Sequence, residues 1–274
     1  MRLFKKILLW TGIITAVLYL GVCLFFYSKQ DDILFVPTKL AADYAFTFPG
    51  TFTERKIKTN GATLSGLLFK SSLTGTPADS SKGVIFYLHG NGGALNTWGS
   101  VASVYTGLGY DVFMLDYRGY GKSDGKITAE QQLFDDVQIG YDSLRALYPE
   151  NKIVILGYSI GTCPATMLAA LNKPRMLILQ APYFSMVDMM KHTYAFLPTF
   201  MLHYPLKTDE YIKTVKAPVV IFHGDADEVI YYGSSVKLHA DCKPTDQLIT
   251  LKGQGHNRFT QNPDYLAALK KILE

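Results

Sequence analysis

A mostly parallel β-sheet flanked by helices, behind an apolar N-terminal helix, is the α/β architecture that this 274-residue sequence predicts. Three observations predict it. Six short apolar runs recur along the chain, and most lead into a longer stretch that reads as helix. The runs are continuous rather than alternating, as in strands buried on both faces. Finally, 48% of the residues are hydrophobic and only 18% charged, enough to build one large core and something besides.

The first element is of membrane length. Ile7 to Tyr27 is 21 residues without a charge, about 31 Å as a helix and close to the hydrocarbon thickness of a bilayer. Two rivals to an uncleaved anchor stand: a cleaved signal peptide, although Gly21-Val22-Cys23 matches its small-residue site poorly, and a lipoprotein site at Cys23, although Val22 is bulky for one. Arg2, Lys5 and Lys6 precede the run, whereas Lys29 after it is offset by Asp31 and Asp32. This charge asymmetry predicts a cytoplasmic N-terminus, with the main domain outside, in the periplasm or on the outer face of a bacterial cell. The expected division is a stub and anchor over 1–29 and one α/β domain over 30–274.

Of the net charge of +4, the first six residues supply three, and the nearly neutral body has no electrostatic footprint for nucleic acid. Cys23, Cys163 and Cys242 lie far apart without metal-ligand spacing, so free thiols are expected and neither a metal nor a cofactor is.

Behind the anchor, two β-like runs meet at Asn60-Gly61, a hairpin signal. Residues 71–82 read as a polar surface loop. The six apolar runs follow at 83–89, 110–117, 152–158, 175–181, 217–224 and 246–253. Between the fourth and fifth, residues 183–216 are rich in aromatics and methionine and too long for a simple connection. Two readings are open there: a helical cap over a site, or an excursion packed into the core.

In sheets of this kind ligands bind beyond the carboxyl ends of the strands. There Gly157-Tyr158-Ser159-Ile160-Gly161 fits G-x-S-x-G, between an apolar run and a helical stretch. A serine hydroxyl is a weak nucleophile that needs a base to take its proton and a carboxylate to orient that base. After a strand-turn-helix serine the expected order is acid, then histidine. His256, in the loop "GQGHN", is the better base, since His239 reads as helix interior. For the acid, Asp227 is preferred and Asp225 held in reserve. Oxyanion donors are expected from the Ile160 N–H and from Asn91, in the loop His89-Gly90-Asn91-Gly92-Gly93. Tyr117, Arg118 and Tyr120 are candidates to line or brace the site.

Taken together, "QDDILFVP", "YLHGNGG", "DYRGYGKSDG", "GYSIG", "HGDADEVI" and "GQGHN" resemble the α/β-hydrolase superfamily, and most closely its membrane-anchored Bem46-like branch, related to the ABHD13-type and ABHD17-type hydrolases. The resemblance covers residue 30 to the C-terminus. It implies an α/β-hydrolase fold and a serine hydrolase with Ser159 as nucleophile, Asp227 as acid, which settles the choice over Asp225, His256 as base and Asn91 as an oxyanion residue.

The expected reaction is cleavage of a carboxylic ester or thioester through an acyl-enzyme on Ser159. The expected substrate is a small-molecule or lipid-like acyl compound, with membrane contact through residues 7–27. Amide or peptide cleavage on the same triad is the alternative within catalysis. A tethered binding protein without activity is the alternative outside it.

Overall fold

The computed structural model describes residues 1–71 and 81–274, so most of the polar loop read at 71–82 lies outside the described residues. Helix α1 runs from Arg2 to Leu34 and leads into β1 (Val36–Pro37). The hairpin β2 (Phe52–Thr59) and β3 (Ala62–Phe69) turns at Asn60-Gly61, where Gly61 has φ 78°, the left-handed backbone that the turn requires. Then come β4 (Val84–Leu88), β5 (Gly92–Gly93), α2 (Leu95–Trp98), α3 (Ala102–Thr106), β6 (Asp111–Leu115) and α4 (Glu130–Arg145). The second half comprises β7 (Ile153–Tyr158), α5 (Thr162–Leu171), β8 (Met176–Gln180), α6 (Met186–Thr193), α7 (Thr208–Ile212), β9 (Val219–Gly224), α8 (Gly233–Ala240), β10 (Gln247–Leu251) and α9 (Pro263–Leu273).

Eight strands form one sheet in the order β10-β9-β8-β7-β4-β6-β3-β2. The six apolar runs supply its six parallel strands, and β4, β6 and β7 are buried throughout. Among the described residues only the hairpin strands pair antiparallel, β3 joining β6 at one edge of the sheet. Two apolar clusters, one on each face of the sheet, account for the continuous hydrophobic runs. The chain winds outward in opposite directions from β4 and β7, so the crevice at their carboxyl ends is the switch point where such sheets bind ligands.

The structure moves one expected boundary and adds one pairing that the sequence did not suggest. The N-terminal helix does not stop at Tyr27: it continues for about two more turns to Leu34, so a boundary at residue 29 falls inside a helix. A Lys29–Asp32 ion pair one turn apart fits that continuation, and Gln30 is buried within it. Secondly, the "QDDILFVP" stretch enters a small parallel pair, β1 with β5, which ties Val36–Pro37 to the glycines after Asn91.

Residues 183–216 divide between the two readings left open. Residues from α6 to Leu202 border a cavity above the sheet, whereas α7 packs on α5 with Thr208 and Ile212 buried.

Candidate active site

β7 ends at Tyr158, and Ser159 follows with φ 52°. That left-handed backbone costs a non-glycine residue about 1–2 kcal/mol, so the surroundings must impose it. They do so through the flanking glycines. A Cβ on Gly157 would lie 2.5 Å from the Gly161 carbonyl oxygen, and one on Gly161 would lie 2.3 Å from that of Leu88. The turn is thus wedged between its own far side and β4. A single 3-10 turn over Ser159–Gly161 feeds α5, and the Ser159 carbonyl accepts from the Thr162 hydroxyl at 2.6 Å.

His256 reaches this serine from the loop after β10. Its Nε2 lies 3.1 Å from Ser159 Oγ and its Nδ1 2.8 Å from Asp227 Oδ2. The carboxylate beside Nδ1 holds the proton there, which leaves Nε2 free to accept from the serine. Both Ser159 and His256 are buried, as is the Asp227 side chain. The His256 N–H donates to Glu228 Oε2 at 3.1 Å, and its carbonyl accepts from Tyr158, so the loop is tied at both ends of the residue.

Asp227 is held by four groups. Its Oδ1 accepts the Val229 and Ile230 amides at 2.8 Å each, and its Oδ2 is shared between His256 and His223 Nε2, the latter at 3.1 Å. Burial alone would raise its pKa. The hydrogen bonds from His223 and His256, the charge on His256 and the Ile230 amide outweigh that and hold the carboxyl well below the usual carboxylate range. A depressed folded pKa adds stability that is full above the unfolded value of about 3.9 and is lost as pH falls through the folded value. The stability gap between the wild type and Asp227→Asn, from urea melts, should therefore narrow below about pH 4. A gap that widens in acid contradicts this account.

His223 was not singled out in the sequence, although it stands four residues before Asp227 in a turn that folds back on its strand. Its Nε2 faces two acceptors, Asp227 Oδ2 and the Ile230 carbonyl at 2.9 Å, so that nitrogen carries the proton and Nδ1 accepts from the Ser235 hydroxyl at 2.5 Å. His223→Ala is expected to cost about 1–3 kcal/mol by leaving buried partners unpaired. It should also lower kcat more than it changes KM, and His223→Gln should restore part of the loss; urea melts and ester kinetics measure both.

The loop from His89 to Gly93 is braced from beneath. His89 is fully buried, its ring centroid 4.3 Å from that of Tyr117. Tyr117 donates to the His89 carbonyl at 2.8 Å; Tyr120 and the Val36 N–H donate to the Asn91 carbonyl at 2.6 and 3.0 Å. With its carbonyl thus occupied, the peptide plane at Asn91 is fixed. A Cβ on Gly90 would press on Trp98 and Tyr158 at 3.1 Å, while Gly92 and Gly93 form β5. Asn91, Ser159 and Ile160 all border the same cavity.

Other candidates sit elsewhere. Asp225 accepts the Gly253 amide at the surface, and His239 lies in α8 facing the Asp246 carbonyl. Arg118 pairs with the buried Asp136 and the Asn60 carbonyl instead of lining the site. Cys163 is buried in the first turn of α5, where burial pushes its thiol far up. All three cysteines are free. Among the described residues no group of three or more His, Cys, Asp or Glu side chains could hold a metal.

The cavity has a volume of about 280 Å³. Ser159, Ile160 and Asn91 border it. Met186, Met189, Met190, Leu197, Met201 and Leu202 line it as well, and α1 contributes Phe26, Tyr27, Gln30, Ile33 and Leu34. Of these, Phe26 and Tyr27 end the uncharged run, whereas Gln30, Ile33 and Leu34 stand beyond it among Lys29, Asp31 and Asp32.

A buried serine-histidine-aspartate chain at the switch point of a parallel sheet defines a serine hydrolase of the α/β-hydrolase fold. The comparisons with known proteins agree. A family model described as serine aminopeptidase, S33, matches residues 79–209. Alpha/beta hydrolase domain-containing protein 17B of Homo sapiens is 34% identical over 206 residues, covering 70% of this chain and 67% of that protein. Protein 17C of Mus musculus is 32% identical over 209 residues, with coverages of 72% and 61%. The chain therefore belongs to the α/β-hydrolase superfamily and is of the ABHD17 type, spanning about three fifths to two thirds of these relatives' lengths. Among solved structures, an esterase from Pyrococcus furiosus superposes with a TM-score of 0.68 at 20% identity, covering 88% of this chain and 97% of its own.

Proposed function

We propose that this serine hydrolase cleaves carboxylic esters or thioesters through an acyl-enzyme on Ser159. The observation that carries the reading is the continuous chain Ser159 Oγ, His256 Nε2, His256 Nδ1, Asp227 Oδ2, with links of 3.1 and 2.8 Å. Ser159 Oγ attacks the acyl carbonyl while His256 takes its proton. The amides of Ile160 and Asn91 receive the developing oxyanion. The bond to the leaving alcohol or thiol breaks, and His256 returns the proton to the leaving group. Water, deprotonated by His256, then releases the acid and regenerates Ser159. Asp227 stays ionised and steadies the imidazolium.

The matched family model's description favours a second reading, an aminopeptidase. Such an enzyme must neutralise the substrate's α-ammonium group. The residues bordering the cavity include no carboxylate and are mostly apolar, which supports an acyl chain instead. A fluorophosphonate probe should label the full-length chain at Ser159, and turnover of p-nitrophenyl acyl esters should exceed that of aminoacyl amides. Faster amide turnover would reverse the choice.

The membrane reading is also part of this proposal. α1 carries a mostly solvent-exposed apolar surface from Leu3 to Phe25, unlike the core helix of a soluble domain. Its second half borders the cavity, which supports retention of the helix over cleavage as a signal peptide. The flanking charges place the N-terminus in the cytoplasm. A C-terminal tag protected from external protease in intact bacterial spheroplasts would refute that orientation.

A further inference from the structure

α1 touches the domain along one stripe. Tyr19, Cys23, Phe26, Gln30 and Leu34 recur at three- and four-residue spacing, each partly buried or bonded to the domain. Gln30 donates to the Met201 carbonyl at 2.7 Å and accepts the His203 N–H at 2.8 Å. The Phe26 ring packs against Tyr194 at 5.5 Å and Tyr27 against His203 at 4.4 Å. Furthest down the helix, the Tyr19 hydroxyl donates to the Phe196 carbonyl at 2.9 Å.

That last bond sets a depth. Tyr19 lies eight residues inside the end of the uncharged run at Tyr27, about 12 Å along the helix axis. With α1 spanning a bilayer, the part of the Tyr194–Leu202 segment around Phe196 sits within the apolar layer beside it, and Met201, bonded to Gln30, lies at its border. Its composition suits that place: Phe200 is 88% exposed and Phe196 56%. Several of its backbone carbonyls are satisfied internally or by α1, as hydrocarbon, which offers no partners to polar groups, would require of them. The carbonyls of Tyr194, Pro198 and Thr199 accept from Leu197, Met201 and Leu202 within the segment, and α1 side chains satisfy those of Phe196 and Met201. Pro198 has no N–H to satisfy.

The cavity is bordered at once by Ser159, by Tyr194–Leu202 residues and by α1, and of the α1 residues Phe26 and Tyr27 belong to the uncharged run. We propose that the substrate is a long-chain acyl ester resident in the bilayer. It enters sideways between α1 and the Tyr194–Leu202 segment, its chain lying along α1 while its carbonyl reaches Ser159. The anchor helix is then one wall of the acyl site as well as a tether. This inference rests on the ester-hydrolase reading above and names its substrate class.

The test uses the full-length chain reconstituted in phosphatidylcholine vesicles. Ile33→Trp narrows the cavity from the α1 side. It should lower the ratio of hexadecanoyl to butanoyl p-nitrophenyl ester turnover by about tenfold or more, the scale of a pocket altered by a few methylenes. Phe200→Asp, at a side chain with little packing to lose, puts a charge in the buried segment. It should lower by about tenfold or more the ratio of 4-methylumbelliferyl palmitate turnover in the vesicle to the same ester dispersed in detergent. An unchanged chain-length ratio in Ile33→Trp removes α1 from the acyl site. An unchanged vesicle ratio in Phe200→Asp means that substrate arrives from water. Failure of the underlying reading looks different: Ser159→Ala would then turn over every ester at the wild-type rate.

Discussion

Ser159→Ala is expected to abolish fluorophosphonate labelling and to lower ester kcat by about 10³-fold or more, leaving only what the oxyanion donors and substrate binding provide. Its fold should persist, because the substitution removes one oxygen whose one side-chain partner among the described residues is His256 Nε2, and alanine occupies the left-handed turn about as poorly as serine does. Asp227→Asn should approach the same loss, since an asparagine amide beside His256 Nδ1 favours the wrong tautomer. The double substitution should be scarcely worse than either, because the residues act as one unit. Rate measurements on the full-length chain decide this. Labelling that survives in Ser159→Ala places the nucleophile elsewhere.

Gly161→Ala is expected to show the largest loss of stability. The new methyl carbon would sit 2.3 Å from the Leu88 carbonyl oxygen and 2.7 Å from that of His89. Both are backbone atoms, at the end of β4 and in the Asn91 loop, and they cannot swing aside as a side chain tip can. Relieving the overlap means prising β7 from β4 at the centre of the sheet, at a cost of about 3 kcal/mol or more. Gly92→Ala is the control: a Cβ there meets nothing within 4 Å, and a change within about 0.5 kcal/mol is expected. Urea denaturation midpoints of the three proteins settle the comparison. Near-native stability in Gly161→Ala would mean that the turn is not wedged against β4.

Much of the fold was legible because parallel strands buried on both faces leave a one-dimensional trace. The runs at 83–89, 110–117 and 152–158 each contain their strand with ends shifted by at most two residues, and Asn60-Gly61 marked the hairpin through turn chemistry alone. The site was legible for a related reason. A serine turn with no room for side chains must be written with glycines, and chain order limits the choice of acid and base. His223 was harder to find, because its part depends on the turn after β9 bringing it back onto Asp227, a contact that spacing along the chain does not disclose. The α1 stripe was harder still. Most of it lies within a run that is apolar almost throughout, where the face turned to the protein and the face turned away have nearly the same composition, so periodicity carries little information.

By itself, then, the sequence determined the sheet, the serine turn and the order of the reacting groups, because local sterics and two-sided burial dictate residue type position by position. Only the tertiary structure decided that α1 runs on past Tyr27 to Leu34 and closes the cavity above Ser159. That pairing joins Gln30 to residues 201–203 and Tyr19 to Phe196 across more than 170 positions of chain. It is fixed by the packing of two apolar surfaces, whose partners no local pattern can name.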